Sequence, residues 1–404
     1  MTATGIALLG ASFLFAIVFF HPRLLKSPLW KATVTPLASI IGSGFLVAGP
    51  ILAHAAGDLA WAAMAGLCAI AYFFGAAIRY NIVHVEPVLE KGTASWTVSL
   101  IERAADIALL LAYFVSVAYY LNLFAAFGLR LDDITAQFWI RVGATAVIGS
   151  IGLVGLRGGL RALEHLELGA VGLKLSVIGG LFAALILATV LAFMNGTFAW
   201  ATPDHPRGLK EIEILLGLIV LVQGFETSRY LGAAYDTATR VKTMRWAQWV
   251  ATAIYIGFIL LVTQYFTGNL PKEGGETAII DMLAPLGATV GPMIIIVALA
   301  SQFSAAVADM NGAGGLVSET SKKRLSVELG NLVTALAAIV ITWIADIYEI
   351  IAYASKIFVA YYALQSLQAA LAAWRNGHRW RAAFFALGVV IGLLVVLFAI
   401  PAEV

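Results

Sequence analysis

Three ionisable side chains lie in stretches that are otherwise apolar. Lys174 sits in GAVGLKLSVIGG, Glu226 in LVQGFETSRYLG and Asp309 in FSAAVADMNGAGG. A charged group at membrane depth is expensive, faces the protein interior or water, and marks a path for an ion, a proton or a solute. Lys174 is too far from either end of its run to snorkel, so its ammonium needs a partner or must give up its proton. Glu226 has three uses open to it: meeting a cationic group on a solute, carrying a proton, or capping an unwound stretch of main chain. Lys356, with Tyr353 beside it, is a weaker candidate, because it lies near the end of its run and can snorkel.

The same chemistry continues at two glycine clusters. IIGSGF places Gly42, Ser43 and Gly44 at mid-membrane depth, and VQGFE does the same for Gln223, Gly224 and Glu226. Non-helical backbone is tolerated there only beside protein or a wet cavity. Unwound amides around Ser43, Gly44 and Phe45, with Ser39 and Gly42 in the same candidate site, lie at the positive end of a helix dipole and suit a carboxylate. Gln223, Phe225 and Glu226 form the second part of that site. Tyr113, Tyr119 and Tyr120 would supply an aromatic wall and gate. The competing readings are close-packing glycines and ordinary core aromatics.

The elements that position these residues follow from composition. Of 404 residues 61% are hydrophobic and 12% charged, with a mean hydropathy of +0.92, so lipid must be the main solvent. Hydropathy predicts about twelve spans. The first covers roughly 4 to 20, and a set of five runs at about 32–54, 58–80, 98–128, 136–155 and 162–194. A second set of five runs at about 211–234, 243–267, 285–318, 328–346 and 350–373, and a last span at about 382–400. The whole chain reads as one transmembrane domain, with repeats at 32–194 and 211–373.

Two offsets relate the repeats: Gly42 to Gly224 and Lys174 to Lys356 are both 182 residues (224 − 42 and 356 − 174). Five spans per copy is odd, so the copies have opposite topology. That arrangement holds solute and ions at the bilayer midplane between two rocking halves. Basic residues collect in alternate loops: Arg23, Lys26 and Lys31; Arg157 and Arg161; Arg240, Lys242 and Arg245; Lys322, Lys323 and Arg324; Arg375, Arg379 and Arg381. With Arg79 and Lys91 this side carries roughly sixteen against about five, which makes it cytoplasmic and puts both termini outside a bacterial-type inner membrane.

At these residues the chain resembles the amino acid-polyamine-organocation superfamily of LeuT-fold transporters, over about 340 residues. IIGSGF is similar to the glycine-rich break of that superfamily's first core helix, and QGFE to the break of its sixth. GLRGGLRALEHLELGAVGLKL resembles the junction of the fourth and fifth core helices of amino acid permeases. LASIIGSGFLVAGP and FSAAVADMNGAGGLVSETSKK resemble the first and eighth core helices of sodium-solute symporters, which also carry an extra leading helix. The resemblance implies an all-α membrane protein with a five-plus-five inverted repeat and one extra helix at each end. It implies a secondary transporter of a small polar solute, an amino acid or related molecule, and not an enzyme.

The resemblance also implies ion sites. A sodium ion would lie between carbonyls of Ala38, Ile41 and Ser301 and the hydroxyl of Ser304, an oxygen cage suited to a hard cation. The second hydroxyl position is Ala305, which removes a ligand, while Asp309, about one and a half turns on, could supply charge. For Ser304 the competing reading is a bond to its own helix. Sodium-independent members place a lysine where the sodium would sit, as GLKL does here with Lys174, so proton coupling or sodium independence is expected over sodium coupling. A fixed Lys174–Asp309 ion pair is the inert alternative.

Other classes fare worse. Basic residues lie between apolar runs and not on one face, which excludes a nucleic-acid partner. A single cysteine, Cys68, permits neither a disulfide framework nor a thiolate site. His54, His84 and His165 fall on different segments and make no catalytic or metal constellation. No cofactor is expected beyond a coupling H+ or Na+. The partners are a small solute and the bilayer, and nothing in the sequence fixes an oligomeric state. A membrane sensor on a transporter scaffold and a channel are the remaining alternatives.

Overall fold

The computed structural model describes residues 2–42, 44–158, 161–201, 208–232, 234–266 and 274–402, with only the backbone described at 158 and 161–168. Among these residues the chain is helical, without strands. The longer helices are α1 (Ala3–Phe19), α2 (Pro28–Ile40), α3 (Gly44–Ala56), α4 (Ala60–His84), α5 (Trp96–Leu129), α6 (Gln137–Gly158) and α7 (Arg161–Met194). They continue with α8 (Leu209–Leu216), α9 (Thr237–Val262), α10 (Val290–Thr320), α11 (Val327–Ile344), α12 (Ile347–Arg375) and α13 (Arg379–Phe398).

Nine helical stretches among the described residues are long and apolar enough to cross a membrane, against about twelve spans expected. The difference has physical causes. The stretch Pro28–Glu90 is 63 residues long. Uninterrupted, it would extend about 95 Å, some three bilayers, so it must fold back. It interrupts after Ile40 and turns at Gly57, whose φ is +50°. Helix α1, at 17 residues, is a little short of the usual span. The stretch expected at 211–234 is an α-helix only to Leu216, then two 3-10 turns, Ile219–Val222 and Phe225–Leu231.

The packing is that of a protein dissolved in lipid. Peripheral helices expose apolar side chains, among them Phe13, Leu14, Leu387 and Leu397, while Asn81, Ser116, Lys174, Gln223, Glu226 and Asp309 are buried. Helix α5 packs against α10, α11 and α12, α6 against α11, and α2 against α9; α1 lies on α7 and α13 on α12. The interrupted segments are thereby enclosed by long continuous helices.

Candidate functional site

The first break forms where α2 stops. The Gly42 N–H turns back to the Ser39 carbonyl at 3.1 Å, and α3 restarts at Gly44. Ser43 lies outside the described residues. The second break is longer: Gln223 is extended, and Gly224 takes φ +115°, a conformation that L side chains resist. Each glycine is needed because the breaks abut. A Cβ on Gly44 would fall 2.3 Å from the Leu221 carbonyl oxygen, and one on Gly224 would fall 2.5 Å from Ser39 Oγ.

Three side chains supply hydrogen bonds that the unwound backbone has lost. The Tyr255 hydroxyl of α9 contacts the Ile40 carbonyl at 2.9 Å and the Leu221 carbonyl at 2.6 Å, touching both breaks at once. Ser355 of α12 donates to the Gly217 carbonyl at 2.6 Å and accepts from the Val220 N–H at 2.9 Å. Glu226 Oε2 accepts from the Gly224 N–H at 3.0 Å and from the Tyr362 hydroxyl at 2.7 Å.

Lys174, fully buried on α7, donates from Nζ to the Ala38 carbonyl at 2.7 Å. Ala38 is in the last turn of α2, where carbonyls lose their helical donors and the dipole is negative. An ammonium is the complement of such a helix end. Ile41, Ser301 and Ser304 are also buried; the Ser304 hydroxyl bonds the Ser301 carbonyl of its own helix at 3.1 Å. Gly42 faces α10 at Ala305, the position without a hydroxyl, with 3.0 Å between an added Cβ and the Ala305 Cβ. The Asp309 carboxylate accepts from the Ser116 hydroxyl of α5.

Several buried oxygens at the breaks have no hydrogen-bond partner: Ser39 Oγ, Gln223 Oε1 and Glu226 Oε1. Gln223 Nε2 is held by the Tyr120 hydroxyl at 2.7 Å. These three lie on neighbouring segments, so a donor or a cation placed between the breaks would find acceptors there. All are oxygens.

A cavity of about 490 Å³ reaches the protein interior between α2, the Phe225–Leu231 turn, α5 and the C-terminal half of α10. Thr35, Tyr113, Thr227, Tyr230, Asn311 and Glu319 are among its lining residues. Of the sequence-predicted residues that are described, only Tyr113 lines it. Ser39, Gly42, Gly44, Phe45, Gln223, Phe225 and Glu226 are buried and do not. Phe225 stacks on Tyr362 with centroids 4.9 Å apart, Phe45 packs on Phe258 at 4.2 Å, and Tyr119 lies against Tyr120 at 5.4 Å. Tyr353 is 45% exposed and Lys356 half-buried. Sequence reasoning missed Tyr255, Tyr362, Ser355 and Ser116, because a hydroxyl in an apolar run carries no signal until its partner is known.

Comparison with known proteins bears on the family and the fold. A family described as "APC superfamily transporter" matches residues 22–399. An uncharacterized protein of Aquifex aeolicus (strain VF5) is 39% identical over 406 residues, covering 100% of this chain and 98% of its own. Among solved structures, a Na+-coupled sialic acid symporter in a substrate-bound outward-open state is similar with TM-score 0.53 and 16% identity, over 99% of this chain and 98% of that one. A manganese transporter of Eremococcus coleocola aligns with TM-score 0.57 and 15% identity, over 93% and 87%. At these identities the solved structures carry the fold.

Proposed function

The chain belongs to the APC superfamily of transporters and is a secondary transporter of LeuT-like fold, and we propose that it carries a small polar solute coupled to protons or without sodium. The solute class is an amino acid or related organic molecule. It would move across a bacterial-type inner membrane by alternating access, with both termini outside, as the basic loops imply. The observation that carries the coupling is the Lys174 ammonium on the Ala38 carbonyl. A cation already sits at the negative end of the broken helix, where a hard metal ion would otherwise be needed.

The test is uptake into proteoliposomes under an imposed proton or sodium gradient, with the solute first found by thermal-shift screening of amino acids, organic acids, nucleobases and sugars. Accumulation driven by a proton gradient and indifferent to sodium is expected. Sodium-specific stimulation that persists in Lys174→Ala ends the proton reading.

A specific observation favours sodium-coupled symport as the second reading. Ser39 Oγ, Gln223 Oε1 and Glu226 Oε1 are an oxygen-only set with one carboxylate, which suits a hard cation. Sodium would then bind at the contact of the two breaks, and Lys174 would serve only to anchor α2. Thermal stabilisation by sodium, lost in Glu226→Gln and kept in Lys174→Met, distinguishes the two.

A further inference from the structure

A second concavity, of about 600 Å³, opens on the outer surface where α4, α9 and α13 meet, and shares no lining residue with the central cavity. Its walls carry Arg79, His84, Arg245 and Arg381, interleaved with aromatic rings including Tyr80 and Trp380. No carboxylate lines it.

Arg79 is the unusual member. It is only 6% exposed, yet the hydrogen bonds and ring contact described for it are to neutral groups, and the charge it faces, Arg245, is of like sign. Its guanidinium donates to Gln248 Oε1 and, at 3.4 Å, to the Tyr72 carbonyl, and lies over the Tyr72 ring with Cζ 4.6 Å from the centroid. The acid nearest to it in sequence, Glu86, is taken up by Arg240 at 2.7 Å and Arg229 at 3.5 Å. A buried cation without a counter-ion is costly, and two exposed arginines beside the same groove add to the positive field.

Position says which anion fits. Helix α4 ends at His84 and α13 begins at Arg379, so the groove lies at the headgroup level, at the end of the bundle that carries the basic loops. Trp380, 82% exposed, is at the depth where amphipathic rings anchor. From there Phe384 of α13, 38% exposed, and Ala76 of α4, about a turn inward of Arg79, continue the wall toward the hydrocarbon zone. A free phosphate would use the arginines and leave that apolar wall idle. Basic pockets between transmembrane helices at the headgroup level recognise anionic lipids. We propose that this groove binds an anionic phospholipid, its phosphate held by Arg79, Arg245 and Arg381 and an acyl chain lying along Ala76 and Phe384.

The test is native mass spectrometry of the full chain in detergent, titrated with phosphatidylglycerol or phosphatidylcholine. Arg245→Gln/Arg381→Gln changes exposed side chains only, and Arg23→Gln/Lys26→Gln removes as much charge from another loop. Retention of phosphatidylglycerol over phosphatidylcholine is expected, about 30-fold weaker in the groove variant, as two surface cations imply, and unchanged in the other variant. Equal retention of both lipids, or equal loss in both variants, overturns the proposal. Displacement of the lipid by millimolar inorganic phosphate assigns the groove to a free anion and also overturns it.

Discussion

Replacing Lys174 with methionine separates the two roles open to its ammonium. The 2.7 Å bond from Nζ to the Ala38 carbonyl is charge-assisted, and such a bond contributes about 1.5–3 kcal/mol net. Against this, holding an ammonium away from water costs several kcal/mol even after relaxation. Methionine is of similar length and apolar, so it removes both terms together. Methionine also leaves the Ala38 carbonyl without this donor, at about 1–3 kcal/mol, which offsets the desolvation it relieves, so the melting temperature in detergent should move little in Lys174→Met, whereas Lys174→Ala also opens a cavity and loses about 2–5 kcal/mol. Function should respond differently. Vesicles loaded with a pH-sensitive dye report proton entry on addition of solute, and Lys174→Met should take up solute only down its own gradient, without proton entry. Lys174→Arg keeps the charge but cannot release a proton, so it should behave like methionine in coupling while keeping the anchor to α2. Proton-driven accumulation in Lys174→Met at the wild-type ratio would refute the ammonium as the coupling cation. Loss in methionine with full retention in arginine would show that a fixed charge suffices.

Gly224→Ala should destabilise strongly, by about 3 kcal/mol or more, because the φ of +115° is compounded by a Cβ 2.5 Å from Ser39 Oγ and 2.7 Å from Ile40 N. Gly66→Ala, with nothing within 4 Å of its Cβ, is the control and should gain about 0.5–1 kcal/mol in thermal melting. Tyr255→Phe leaves the Ile40 and Leu221 carbonyls without the hydroxyl whose single proton they share, at about 1–3 kcal/mol in all, and hydrogen exchange should rise at both breaks together. Glu226→Gln keeps an oxygen for the Gly224 N–H and removes the charge. Uptake should collapse while melting shifts by less than about 1 kcal/mol, the scale of a lost cap, and a melting loss that matches the loss of uptake would reduce Glu226 to a capping role.

The breaks could be read from the sequence because their cause is written in residue types. Gly42 and Gly44 in one span, and Gly224 between Gln223 and Glu226 in another, contradict a hydrocarbon solvent unless the backbone is used. Lys174 was legible for the same reason, and the resemblance supplied Ala38 as its counterpart. What stayed hidden was the second half of each pair. Ser116 meets Asp309, Tyr362 meets Glu226 and Ser355 meets Gly217 across 193, 136 and 138 residues of chain, and no local pattern marks such partners. The 3-10 character after Leu216 was also hidden, since it depends on donors and acceptors brought in by α9 and α12. Hydropathy sees only that residues 211–234 are apolar.

Tyr113 lines the central cavity and is almost wholly buried there. Its ring lies edge-on to Phe358, with centroids 6.1 Å apart, and against Gly312 of α10, where an added Cβ would come within 2.9 Å of Cε2. A glycine there leaves the ring a notch to rest in. Ser39, Gln223 and Glu226 line no part of the cavity, so cargo entering it cannot meet their orphan oxygens while the walls stay as they are. The Phe225–Leu231 turn, part of the second break, faces the cavity with Thr227 and Tyr230. That turn is not free to move alone. Arg229 ties it to Glu102 at 2.6 Å and to Glu86 at 3.5 Å, and the Arg240 guanidinium holds the Arg229 carbonyl at 2.8 Å. Freeing the turn would break that partly buried ion-pair cluster, so the ion pairs hold the turn as a fixed wall of the cavity.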